Sequence, residues 1–306
     1  MAYKQSPHCD LVAFCGRTRS DRSLALSAEL GVPLYTDLAE MLRKEKPDVV
    51  SVCTQEPEHA EVTITCLEAG CHVCCEKAMA PTVEDGERMV AAAEKAGRQL
   101  MIGYNYRFSP SALHLKKLVD SGRLGAPVFM AALTFGYCLH HTMDFVCHLG
   151  GDVEEVYAAI RTDAPEPFAV ETLHIGDWIY SGAFYRSITL RFTSGALGTL
   201  ISSDYLRVGQ PAVRVDCVGA KARATMDDIV GQVICYTDNR QAEVWMPSLI
   251  MDRLDLPSTT VAADKAFVEA ICEGREVPVP AGDGLRMLKL ERAIMRSARD
   301  NMPVKV

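Results

Sequence analysis

Residues 71–81, CHVCCEKAMAP, form an apolar run that stops at Glu76 and Lys77 and continues into small residues and Pro81. A carboxylate and an amine at the end of a buried strand stand where open parallel sheets take their ligands, beyond the carboxyl ends of the strands. Thr54 closes the earlier apolar run PDVVSVCT, and Asn105 follows the later one, QLMIGY. These groups are therefore expected to converge on one sheet edge, the place for a cofactor and a substrate to meet. The same stretch holds a C-x-x-C spacing, Cys71 to Cys74 with His72 inside, but no second ligand pair follows at zinc-site spacing. No metal is expected.

The elements that must position these residues alternate regularly. Strands are expected over 10–16, 47–54, 71–77 and 99–104, with helices over 20–31, 37–46, 57–70 and 82–97. Short continuous apolar strands between amphipathic helices predict a parallel sheet covered on both faces. After about residue 108 the pattern changes. A helix in SALHLKKLVDSGRLG leads into alternating segments such as PVFMAALTFG, EVYAAIRT, YRSITLRFTSGALGTLISSDYL, AVRVDCVGAKARATM and GQVICYTDNRQAEVW. Turns at TSG and VGAK predict hairpins and a large, mostly antiparallel open sheet, and two helices, about 260–273 and 284–300, close the chain. The plan is a parallel α/β domain over 1–108 followed by an α+β domain over 109–306.

Composition narrows the function. The 306 residues are 48% hydrophobic and 24% charged with a formal charge of −8, and no dense Lys/Arg run offers a footprint for nucleic acid. No apolar run approaches the ~18 residues of a membrane span, and MAYKQSPHCDLVAF has no signal-peptide stretch. The expectation is a cytoplasmic protein with a small-molecule ligand. Most of the twelve cysteines, including Cys53, Cys74, Cys75, Cys217 and Cys235, fall in apolar strand-like runs and read as small hydrophobes of a reducing compartment.

HVCCEKAMAPTVEDGERMVAAAEKAGRQLMIGYNYRFSP resembles the Gfo/Idh/MocA oxidoreductases, dinucleotide-dependent enzymes acting mostly on sugars and cyclitols. The family's E-K-P element appears as Glu76, Lys77, Ala78, and its N-x-R-F-x-P element as Asn105, Arg107, Phe108, Pro110. The likeness continues through DSGRLGAPVFMAA, HTMDFVCHLGGDVEEVYA and GLRMLKLERAIMRSARDNMPVKV, essentially the whole chain. The resemblance implies that Lys77 lies between nicotinamide and the reacting hydroxyl, orienting the oxygen and helping to move its proton. It implies His141 as a second proton-transfer group, with Asp144 three residues on either orienting an imidazole or capping the helix. Thr54 and His59 match the segment that passes the cofactor, and Glu76 and Asn105 flank it.

Cofactor preference is read at the end of the strand at 10–16, near where folds that prefer NAD place an acidic residue on the ribose diol. This chain has Gly16, Arg17, Thr18 and Arg19 there. A guanidinium in place of a carboxylate favours a 2′-phosphate, so NADP is expected over NAD.

Two features depart from the family. The sequence contains no G-x-G-x-x-G turn. The run at 10–16 matches the family's second strand, so on the order of 25 to 30 residues of the usual βαβ unit are not represented. The position four before His141 is Tyr137, where the family carries an aspartate. The expectation is a Rossmann-like domain without its first strand and glycine-rich loop, joined to the open-sheet domain, which self-associates through that sheet. The function expected is NAD(P)-dependent oxidation of a sugar-like or cyclitol secondary alcohol. The alternative is a catalytically inactive homologue serving as a sugar-binding or oligomer subunit.

Overall fold

The computed structural model describes residues 3, 6–161, 185–203, 213–237, 241–247 and 256–306. The chain divides into two compact units. The first comprises Met1–Gly103 with Thr260–Leu285, and the second Tyr104–Thr259 with Arg286–Val306. The division thus comes five residues before the change of pattern at 108, and a later segment returns to the first unit.

The first unit contains strands β1 (Phe14–Cys15), β2 (Leu34–Tyr35), β3 (Val49–Val52), β4 (His72–Cys75) and β5 (Leu100–Ile102). Between them run helices α1 (Asp21–Leu30), α2 (Leu38–Glu45), α3 (His59–Glu68) and α4 (Val83–Ala96). Local chemistry sets the helix ends. Ser20, Asp37 and Thr82 accept backbone N–H groups at the N-termini, while Gly31 and Gly97 close α1 and α4 with φ of 74° and 62°.

The parallel strands pair in the order β3-β4-β5, with Val52 beside Cys75 and Cys75 beside Ile102. Val73, Cys75, Met101 and Ile102 have no exposed surface, as expected of strands covered on both sides. β1 and β2 form a separate two-stranded parallel ladder. Among the described residues no strand bridges β1 and β3. A doubly wound sheet carries its first strand at that point in its order. β1 is also shorter than the run at 10–16 suggests, and β2 was not anticipated because Leu34 and Tyr35 alone carry no alternation.

Helices α7 (Leu256–Cys272) and α8 (Ala281–Asp300) each pass from one unit to the other along the chain. In the first unit Val279 accepts the Ile102 N–H at 3.0 Å, and a Cβ at Gly284 would stand 2.7 Å from Ile102 and 2.8 Å from Met79. The start of α8 can approach the end of β5 only because residue 284 has no side chain.

The second unit holds α5 (Pro110–Asp120), β6 (Pro127–Phe135), α6 (Leu139–Gly150), β7 (Val153–Arg161), β8 (Tyr185–Phe192), β9 (Leu197–Ser203) and β10 (Val213–Gly219). Next come β11 (Arg223–Asp227), β12 (Val233–Tyr236), β13 (Ala242–Trp245) and β14 (Val304–Lys305). They make one nine-stranded sheet, β13-β12-β11-β10-β6-β9-β8-β7-β14, antiparallel except between β6 and β9. Strict alternation in β8 puts Ile188, Leu190 and Phe192 in the core and leaves Ser187, Thr189 and Arg191 outside. Parts of the expected strand segments, at 162, 204–206, 212 and 238–240, lie outside the described residues.

The cysteines follow the small-hydrophobe reading with one correction. Cys66, Cys71, Cys74, Cys75, Cys217 and Cys235 are buried, and burial pushes the Cys66 thiol up to about 12. Cys53 is exposed because β3 ends one residue earlier, at Val52.

Candidate active site

In the first unit the parallel order of β3, β4 and β5 brings Thr54, Glu76, Lys77 and Gly103 to the same carboxyl edge. The Glu76 N–H donates to Val52 O at 3.0 Å, which carries the β3–β4 ladder one residue beyond the strand. Its carboxylate then accepts the Lys77 N–H at 3.2 Å. Lys77 is half-buried, and Ala78, Met79 and Ala80 behind it are buried. The buried segment fixes the backbone from which the lysine projects.

His59, the first residue of α3, is 1% exposed. Its Nδ1 stands 2.8 Å from Ala78 O and its Nε2 3.2 Å from Thr54 O. At the end of β1, Gly16 donates its N–H to Tyr35 O, and the Arg17 guanidinium pairs with Glu58 at 2.6 Å. Both partners of that pair are well exposed, so it contributes little and an incoming anion can replace it.

The same unit holds a carboxyl that sequence reasoning missed. Asp264 lies on α7 and accepts the Tyr3 hydroxyl at 3.2 Å. Burial pushes it up to about 6 from 3.8, the Tyr3 bond opposing and the Glu76 charge adding to the rise. A charge on the apolar face that carries Ala263, Phe267 and Val268 is the signal that could have found it.

Because the folded carboxyl holds its proton more tightly than the unfolded one, its stabilising contribution is complete below pH 3.8 and lost as pH rises through about 6. Asp264→Asn is expected to raise stability at pH 7 by about 2 kcal/mol. Urea melts should show that gain shrinking towards pH 4.5, and a gain independent of pH would contradict it.

In the second unit, the 3-10 turn Asn105–Phe108 packs on the first turns of α6. Tyr106 stacks on the His141 ring, centroids 4.4 Å apart and 20° from parallel, and Tyr104 meets it edge-on at 6.2 Å. One residue on, Arg107 donates Nε to Asp144 Oδ2 at 2.8 Å and Nη2 to Oδ1 at 2.5 Å. Asp144 lies in the second turn of α6 rather than at its cap, and it is the buried counter-ion of Arg107. His140 Nε2 stands 2.9 Å from Glu291 Oε1, and Thr142 donates to Thr134 at 2.8 Å. The Tyr137 side chain lies outside the described residues. Asn105 is buried and falls in this second unit.

Among the described residues no three His, Cys, Asp or Glu side chains are grouped to hold a metal ion. Gly16, Arg17 and Thr18 follow β1, and Thr54, Glu76 and Lys77 follow β3 and β4, at the carboxyl ends where open α/β sheets take their ligands. No glycine-rich turn stands between them to cradle a pyrophosphate.

Residues 1–104 match the family model described as "Oxidoreductase family, NAD-binding Rossmann fold", and residues 131–306 match "Oxidoreductase family, C-terminal alpha/beta domain". The chain belongs to the Gfo/Idh/MocA oxidoreductase family. Among its relatives is a myo-inositol 2-dehydrogenase of Thermotoga maritima, 26% identical over 94% of this chain and 89% of that one. An oxidoreductase domain protein from Kribbella flavida superposes with a TM-score of 0.85 at 25% identity, over 100% of this chain and 94% of that one. An Agrobacterium radiobacter oxidoreductase, solved with NAD+, L-tartaric acid and magnesium, shares the fold at a TM-score of 0.86 and 19% identity, over 99% and 93%. The Rossmann-like domain and the second domain with its large, mostly antiparallel sheet are thus those of the family. No described helix of this family member is long and apolar enough to cross a membrane.

Proposed function

We propose that this Gfo/Idh/MocA protein transfers hydride reversibly between a nicotinamide dinucleotide and a secondary carbinol of a cyclitol or sugar-like polyol, with NADP preferred over NAD. The observation that carries the reading is Lys77, held by a buried segment at the carboxyl edge of the parallel strands. That most of a myo-inositol 2-dehydrogenase aligns with this chain supports the polyol class.

The dinucleotide, when bound, supplies the hydride acceptor. Lys77 directs its amine at the substrate hydroxyl and helps to move its proton. His141, stacked on Tyr106, is a second group able to hold a proton. Gly16, Arg17 and Thr18 receive the ribose end, Arg17 exchanging Glu58 for a 2′-phosphate. Thr54, Glu76 and Asn105 complete the cofactor side.

A screen of myo-inositol and common aldoses with NADP+ and NAD+, followed by nicotinamide absorbance, tests this reading. Turnover of at least one polyol is expected. A second reading, a homologue without turnover that binds a polyol or serves in an oligomer, draws support from the split between the β1–β2 and β3–β4–β5 ladders. Polyol binding without turnover would favour it.

Self-association through the open sheet belongs to the same proposal. On the outer face Phe129 pairs with Leu197 and Leu133 with Ile201, all four between 37% and 46% exposed. An apolar stripe of this kind is covered when two copies meet. Sedimentation should give a homo-oligomer that Ile201→Glu dissociates, whereas a wild-type monomer at micromolar concentration would rule the interface out.

A further inference from the structure

We propose that His59 is the positioning residue for Lys77, joining the turn after β3 to the turn after β4 so that the lysine keeps one direction. The inference rests on Lys77 as the group that meets the substrate hydroxyl.

The ring stands between two carbonyl oxygens from adjacent strands, Ala78 O at 2.8 Å and Thr54 O at 3.2 Å. Lys77 is therefore bracketed. Its own N–H is taken by the Glu76 carboxylate, and the carbonyl of the next residue is taken by His59. With His59 1% exposed and Ala78 4%, the Ala78 carbonyl cannot exchange the ring for bulk water, whereas Thr54 is exposed. Loss of the ring would leave the buried Ala78 acceptor unsatisfied. The backbone on the carboxyl side of Lys77 would then move to find partners.

The two ring nitrogens face two carbonyl acceptors, and a ring N–H is the donor that meets them. A glutamine amide carries two N–H donors on one nitrogen, whereas leucine fills the volume and carries none. His59→Gln and His59→Leu therefore separate the hydrogen bonds from mere packing.

The decisive readout does not depend on turnover. Amide hydrogen exchange resolved by mass spectrometry should show at least tenfold faster exchange at residues 54–59 and 76–80 in His59→Leu. The other strands should keep wild-type rates, and His59→Gln should restore protection in both segments. Unchanged exchange in His59→Leu, or His59→Gln exchanging as fast as His59→Leu, would overturn the proposal. If His59→Leu does not fold, His59→Gln alone decides, with wild-type protection expected at 76–80 and fast exchange there overturning it. In an active preparation His59→Leu should lower kcat more than it raises the KM for polyol. A protein without turnover that still shows the exchange pattern would overturn the assignment of Lys77 and leave the strut standing.

Discussion

Lys77→Ala is expected to lower turnover by more than about a hundredfold, the scale of one positioned acid–base group. The effect should fall on kcat, because the amine acts on the hydroxyl during transfer while the cofactor is held by other residues. Removing the side chain leaves the buried segment Ala78–Ala80 and the Glu76–Val52 bond in place, so the melting temperature should hardly change. Lys77→Arg keeps the charge but cannot release a proton near neutral pH, so it should recover substrate binding without recovering rate. Near-normal turnover in Lys77→Ala would remove the lysine from the mechanism.

Asp144→Ala is expected to destabilise the protein by about 3 to 5 kcal/mol, because it strands the Arg107 guanidinium in the core. The two side chains are 7% and 0% exposed and joined by two charge-assisted bonds. A loss of this size is a large part of the ~5–15 kcal/mol that holds a domain folded. The pair also sets the register between the turn at Asn105–Phe108 and α6, where Tyr106 lies over His141. Replacing both partners together, Arg107→Met with Asp144→Leu, should recover much of the loss, since two apolar side chains leave no buried charge. Urea unfolding that finds Asp144→Ala within 1 kcal/mol of wild type, by the usual scale of surface changes, would contradict this account.

The parallel strands were legible because burial on both faces leaves a continuous apolar run, and VVSV, HVCC and LMI each carry one. The hairpin from β8 to β9 was legible from the opposite pattern, strict alternation around Thr193, Ser194 and Gly195. Helix ends were marked by Ser20, Asp37 and Thr82 at one side and Gly31 and Gly97 at the other. What could not be read was pairing over long sequence distance. Arg107 and Asp144 are 37 residues apart and His140 and Glu291 are 151 apart, and no local signal announces either contact. For His59 the sequence indicated the segment but not that both ring nitrogens meet carbonyls. Asp144 stands three residues after His141, which suggested a service to that ring, yet the helix turns its carboxylate to Arg107. Cys53 lies in an apolar run yet is exposed, because the ladder stops at Val52.

The most direct test of the central claim is a titration of the purified chain with NADPH and NADH, followed by nicotinamide fluorescence. The account predicts saturable binding of both, weaker than in folds with a glycine-rich turn, and tighter for NADPH by about tenfold, as one charge-assisted contact provides. Arg17→Ala should abolish that difference while leaving NADH binding unchanged. A folded chain that binds neither dinucleotide would contradict the account and leave a Gfo/Idh/MocA fold without the family's chemistry.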